Sequence, residues 1–109
     1  ILDFQDLIRK IPVADNVIEY AVKMVGKSRP NALEANPIIK QYVDWGAGPR
    51  ASQNLILAAK TNAVFNGKLS PDIEDIQAVA ISILRHRIIK NYKAEADGIS
   101  IETIIENLF

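Results

Sequence analysis

Apolar residues recur at intervals of three and four along almost the whole chain, and Pro or Gly breaks the pattern between segments. A period near 3.6 lays apolar side chains along one face of a helix, whereas a half-buried strand needs strict alternation. The pattern therefore predicts an all-α fold, a compact bundle of five to six helices. Residues 1–11 read as a short helix with Phe4, Leu7, Ile8 and Ile11 on one side, ended by Pro12. A second helix starts at Asp15 as a cap and carries Val17, Ile18, Ala21, Met24 and Val25 up to Gly26. After a polar loop over Ser28–Asn36, Pro37 opens a brief helix through Ile38, Ile39, Tyr42 and Val43 that stops at Trp45-Gly46.

The longest helix is expected from about Arg50 to Asn66, burying Leu55, Ala58, Ala59, Ala63 and Phe65 before Gly67 closes it. Ser70 as N-cap and Pro71 at the first helical position start the next, with Ile73, Ile76, Ala80, Ile83 and Leu84 inside and a frayed end through Ile88, Ile89 and Tyr92. Gly98 breaks the chain, and Ser100 caps a last helix carrying Ile101, Ile104, Ile105 and Leu108. No strand pair is expected; residues 67–69 offer at most a bridge residue.

With 109 residues, the chain is long enough for one core and too short for two. It has no cysteine, which excludes a disulfide scaffold, a thiol nucleophile and every Cys-containing metal site; its single histidine speaks against a structural zinc site, and no metal site is expected. Thirteen basic residues balance 13 acidic ones, so no overall field draws it to nucleic acid or an anionic membrane. No apolar run reaches the roughly 18 to 20 residues of a membrane span, so no membrane insertion is expected. The start at Ile1, without an initiator Met and already in an amphipathic pattern, suggests a fragment of something longer.

Catalytic constellations are nearly absent. His86 stands alone between Arg85 and Arg87, and no glycine-rich loop followed by Lys-Ser or Lys-Thr is present to cradle phosphates. Asp72 and Asp75 are spaced as helix-start charges rather than as an acid–base pair.

The anomaly is Arg50. The turn Gly46-Ala47-Gly48-Pro49 carries two glycines that can reach positive φ and a proline suited to a first helical turn, and it delivers a cation to a helix N-terminus. That end already presents positive potential, so the placement costs up to about 1 kcal/mol unless an anion arrives. Two readings stand: phosphate held jointly by dipole, amides and guanidinium, or a surface ion pair, with Asp44 as the nearest candidate. Arg85-His86-Arg87, with Lys90 and Lys93, is the densest basic patch. It complements a helix C-terminus near Glu95 and Asp97, or serves an interface, and it lacks the interleaved aromatics that stack single-stranded nucleic acid. Trp45, Tyr20 and Tyr42 read as packing residues, and Arg29 either ends a loop in solvent or reaches to another domain.

The string Tyr42-Val43-Asp44-Trp45-Gly46-Ala47-Gly48-Pro49-Arg50-Ala51-Ser52-Gln53 resembles a segment of the MoxR family of AAA+ ATPases, in the helical lid that follows their nucleotide-binding core. Ser28-Arg29-Pro30, Leu57-Ala58-Ala59-Lys60, Leu84-Arg85-His86-Arg87-Ile88 and Ala94-Glu95-Ala96-Asp97-Gly98 fall in the same order, so the resemblance covers nearly all of the chain. Departures are mild: Ile81-Ser82-Ile83 stands where such lids often carry a proline, Lys68 where Arg is common, and Ser28 where Thr is common.

The resemblance implies an AAA+ lid over residues 1–109, with the ATP-binding core preceding residue 1. It implies that Arg50 is the sensor 2 arginine, reaching the phosphates of ATP bound with Mg by the core, with Gly48 and Pro49 beside the nucleotide. The fragment alone would neither hydrolyse ATP nor hold it tightly. It further implies a cytoplasmic, chaperone-like motor, a ring in which Arg85, His86 and Arg87 are candidates for a subunit interface, and partners bearing von Willebrand factor type A domains. The competing readings are a helical protein-interaction module with Arg50 paired locally, and a nucleic-acid module with Arg85, Arg87, Lys90 and Lys93 on one exposed face.

Overall fold

In the computed structural model, which describes residues 10–33 and 35–109, six helices carry nearly all of the regular structure. They are α1 (Asp15–Lys27), α2 (Pro37–Tyr42), α3 (Arg50–Phe65), α4 (Ile73–Leu84), α5 (Tyr92–Asp97) and α6 (Ile101–Glu106). The architecture is all-α, as the periodicity predicts. The helix expected over residues 1–11 lies almost wholly outside the described residues. No helix among the described residues is long and apolar enough to cross a membrane.

The core grows from three helices. α3 buries Ala51, Leu55, Ala59 and Ala63 at four-residue spacing, and α4 faces it with Ile76, Ala80 and Leu84. The alanines let the two backbones come close, and α1 lays Val17, Ala21, Met24 and Val25 across both. α6 adds Ile104 and Ile105 to the core, and Leu108 follows just beyond its end. Each fully buried Leu or Ile contributes roughly 1.5–3 kcal/mol.

Local capping explains where most helices begin. The side chains of Asn36, Asn91 and Ser100 each accept the backbone N–H three residues on, at the starts of α2, α5 and α6. α4 does not start where Ser70-Pro71 suggests. Asp72 is its N-cap, in a reciprocal box: the Asp72 carboxylate accepts the Asp75 N–H and the Asp75 carboxylate accepts the Asp72 N–H. Two orphan donors are satisfied at once, which a Ser70 cap could not match. At α1 the cap position is Ala14, with no side-chain bond, so Asp15 serves as a first-turn charge.

Several expectations are corrected. A short antiparallel ribbon does exist, β1 (Val43–Trp45) against β2 (Ile89–Lys90), with an irregular register between Val43 and Trp45. Neither segment is long enough to show a period-two pattern, and their pairing is remote in sequence. The Asn91 N–H extends the contact to the Tyr42 carbonyl at 2.8 Å. Residues 67–69 form no bridge: Gly67 takes φ +75° and the Lys68 N–H returns to the Ala63 carbonyl, closing α3. The stretch expected to fray after Leu84 instead turns, pairs as β2 and restarts as α5. Phe65, Ile18 and Trp45, expected inside, are exposed, and Ala58 is only half-buried. Phe65 is the last residue of its helix.

Candidate site at the start of helix α3

The segment joining β1 to α3 is pinned against the end of α1. Ser28, the C-cap of α1, is fully buried; its hydroxyl donates to the Val25 carbonyl at 2.6 Å and accepts the Ala47 N–H at 2.9 Å. Arg29 donates from Nε to the Ala47 carbonyl at 3.1 Å. Ala47 itself has no exposed surface.

Gly46 fits here because it lacks a side chain: a Cβ would lie 2.5 Å from the Ser28 carbonyl oxygen. Gly48 has open space around it. Neither glycine uses the positive φ open to it; among the described residues only Gly67 and Gly98 adopt it. Gly46 answers to a close backbone approach instead.

Pro49 precedes α3 with φ −58° and ψ −30°, already near helical, and no side chain caps the helix. The Ser52 hydroxyl donates to the Pro49 carbonyl, and no carboxylate occupies the first turn. Arg50 is therefore the first helical residue, and it is exposed. Among the described residues its side chain makes no hydrogen bond or ion pair, and the pairing with Asp44 is not formed. A free guanidinium thus stands at the positive end of a 16-residue helix. Beside it a cleft of about 510 Å³ opens between segments 29–31 and 44–49. Trp45, 70% exposed, forms part of its wall.

The other basic residues are arranged differently. Arg85, His86 and Arg87 are all exposed after α4, but Arg85 is paired with Glu102 of α6 at 2.7 Å. Lys90 bonds to Glu95 and to the Ile99 carbonyl, and Asp97 accepts the Tyr42 hydroxyl. That bond raises the Tyr42 pKa, with slight burial and the Asp97 charge adding to it. Two of the four cations a nucleic-acid face would need, Arg85 and Lys90, are thus already paired with carboxylates.

Asp75 is the one buried carboxylate among the described residues. It accepts from Asn62 at 2.8 Å, from Lys68 at 3.2 Å and from the Asp72 N–H at 2.9 Å. Burial is the largest single influence and pushes its pKa up. The Asp72 amide, Asn62 and Lys68 together outweigh it and hold the carboxyl below its usual range. Asp75, then Asp72, in turn raise the Lys68 pKa. As the spacing predicts, these acids belong to the helix start. Among the described residues no three His, Asp or Glu side chains group as a metal site.

Sequence reasoning singled out Arg50 and left Arg29 with two open alternatives. The structure draws Arg29 back onto the turn, in neither of the ways expected. It missed the role of Ser28, because nothing local marks a hydroxyl whose partner lies 19 residues away.

Comparison with known proteins agrees with this layout. Residues 35–108 match the family model of the AAA lid domain. The chain is 36% identical over 115 aligned residues to the chaperone MoxR1 of Mycobacterium tuberculosis, covering 99% of this chain and 30% of that protein. The magnesium-chelatase subunit ChlI of Guillardia theta is 40% identical over 53 residues, 48% of this chain and 15% of its own. In three dimensions the chain superposes with a TM-score of 0.90 on the crystal structure of an ATPase candidate from Cytophaga hutchinsonii, at 38% identity, over 98% of this chain and 32% of that one. It thus spans about a third or less of the proteins it matches. With the family model over most of its length and a MoxR chaperone matching end to end, the chain belongs to the AAA lid domain family and is a MoxR-like AAA+ lid.

Proposed function

We propose that this lid closes over ATP bound to an AAA+ core in the same polypeptide, and that Arg50 contacts the nucleotide phosphates. The observation that carries the reading is an exposed guanidinium, with no hydrogen bond or ion pair among the described residues, on the first residue of a helix with no capping side chain and no first-turn carboxylate. A phosphate there gains the helix dipole and a forked donor together. The exposed Trp45 beside the turn supports packing against another domain, and the open space around Gly48 leaves room for close approach.

ATP with Mg supplies a transferable phosphoryl group whose charge must be neutralised as it leaves. Arg50 does part of that work, while Pro49 and Gly48 border the nucleotide. The carboxylates that hold Mg would come from the core. The whole protein would act as a cytoplasmic, ring-forming chaperone-like ATPase that remodels or matures proteins bearing von Willebrand factor type A domains. Arg87 and His86, exposed and without a carboxylate partner among the described residues, would face the neighbouring subunit, with Arg85 held by Glu102.

The test is Arg50→Ala in the full-length protein. ATP turnover should fall by about 10²-fold, the loss typical of one preorganised charge-stabilising donor, while the unfolding free energy of the lid changes by no more than about 0.5 kcal/mol. Unchanged turnover would reject the role assigned to Arg50.

A further inference from the structure

The turn that carries Arg50 is held from outside by two adjacent side chains. Ser28 and Arg29 take both backbone groups of Ala47: the hydroxyl accepts its N–H at 2.9 Å, and Nε donates to its carbonyl at 3.1 Å. The Ser28 proton goes to Val25 at 2.6 Å, so one buried oxygen ties the end of α1 to the turn. Gly46 lies against the same two residues, where a Cβ would be 2.6 Å from the Arg29 Cα.

The flanking Ala47 and Ala51 are both buried, so the backbone on either side of Pro49 has little room to shift. A serine that only ended α1 would need just the Val25 carbonyl. An arginine that only solubilised a loop would not turn its Nε inward to a carbonyl 18 residues away. Arg50, by contrast, has a long side chain with no hydrogen bond or ion pair among the described residues, so its aim depends on where its backbone starts.

We infer that Ser28 and Arg29 are positioning residues for Arg50: by clamping Ala47 they set the origin and direction of the Arg50 side chain toward phosphate. The inference rests on the reading of Arg50 as a phosphate contact, and the experiment separates the two.

In the full-length ATPase, kcat and KM for ATP are measured for Ser28→Ala, Ser28→Thr and Arg29→Gln, each with Arg50 present and in an Arg50→Ala background, alongside thermal unfolding. With Arg50 present, Ser28→Ala and Arg29→Gln should each lower kcat/KM by about tenfold, a loss in keeping with a displaced catalytic side chain. Ser28→Thr, which keeps the hydroxyl, should restore turnover. In the Arg50→Ala background neither substitution should lower the residual turnover further, because both act through the missing side chain. Equal losses in both backgrounds, or no loss when Arg50 is present, would overturn the inference. Unimpaired turnover in Arg50→Ala alone would instead reject the phosphate contact itself. If Ser28→Ala does not fold, Arg29→Gln carries the test, since it leaves the buried hydroxyl in place.

Discussion

Helices α3 and α4 pack along one another, yet their first turns are built from opposite charges. α4 begins inside a capping box, with Asp72, Glu74 and Asp75 gathered at its positive end and Lys68 drawn in to balance them. α3 begins with no capping side chain, no carboxylate and a cation. One start is complete within the domain, and the other is left short of negative charge. Among the described helices four are capped by side chains, and the uncapped cationic start of α3 is the one that the proposed phosphate contact would complete.

The contrast can be broken most forcefully from the α4 side. Replacing Asp75 by Asn keeps the volume but removes the charge that Lys68, Asn62 and the Asp72 amide all meet. We expect the domain to lose about 2–3 kcal/mol, read by denaturant unfolding. The pH profile follows from the direction of the shift. A carboxyl held below its usual pKa contributes stability that is complete above about pH 4 and is lost as pH falls through its folded value. Lys68, held above its usual pKa, contributes stability that is complete below about pH 10 and lost as pH rises through its own. Asp75→Asn should therefore flatten the acid limb of the stability profile, and an unaltered limb would show that Asp75 is not what senses acid.

At the α3 start, the two glycines of the turn should behave differently. Gly46→Ala forces a methyl group into the Ser28–Arg29 backbone and should destabilise by about 1–3 kcal/mol. Gly48→Ala meets open space at an ordinary φ and should stay within about 0.5 kcal/mol. Any loss of ATP turnover in Gly48→Ala would then report a contact with something outside the domain.

Reversing the charge at the helix start is a smaller but sharper probe. Arg50→Glu should raise the stability of the isolated lid by about 0.5 kcal/mol while lowering ATP turnover of the full-length protein at least as far as Arg50→Ala. A lid destabilised by this change would mean that Arg50 has a structural partner after all. The smallest effect belongs to Arg85→Ala, which removes an exposed pair with Glu102 and should cost about 0.5 kcal/mol or less, a difference that added salt erases.

Much of the fold is legible in the residues themselves. Val17, Ala21, Met24 and Val25, the four-residue stripe of α3 and the Ile76-Ala80-Leu84 row of α4 all lie where their spacing puts them. The errors fall at ends and edges. Phe65 and Trp45 are large and apolar, so composition argues for burial, yet both side chains are mostly exposed. Ser70 looks like a cap until Asp72 and Asp75 outcompete it with a reciprocal pair.

The sequence by itself determined five of the six described helices, the cap Ser100, and the placing of a cation at the start of α3. Each depends on residues within about four positions of one another, the reach of a helical hydrogen bond. Only the tertiary structure decided that Arg50 meets no partner among the described residues, that Val43 lies opposite Lys90, and that Ser28 and Arg29 grip Ala47. Those outcomes join stretches far apart along the chain. No local pattern records them, because the burial that makes a lone hydroxyl or amide demand a partner exists only once the helices have packed.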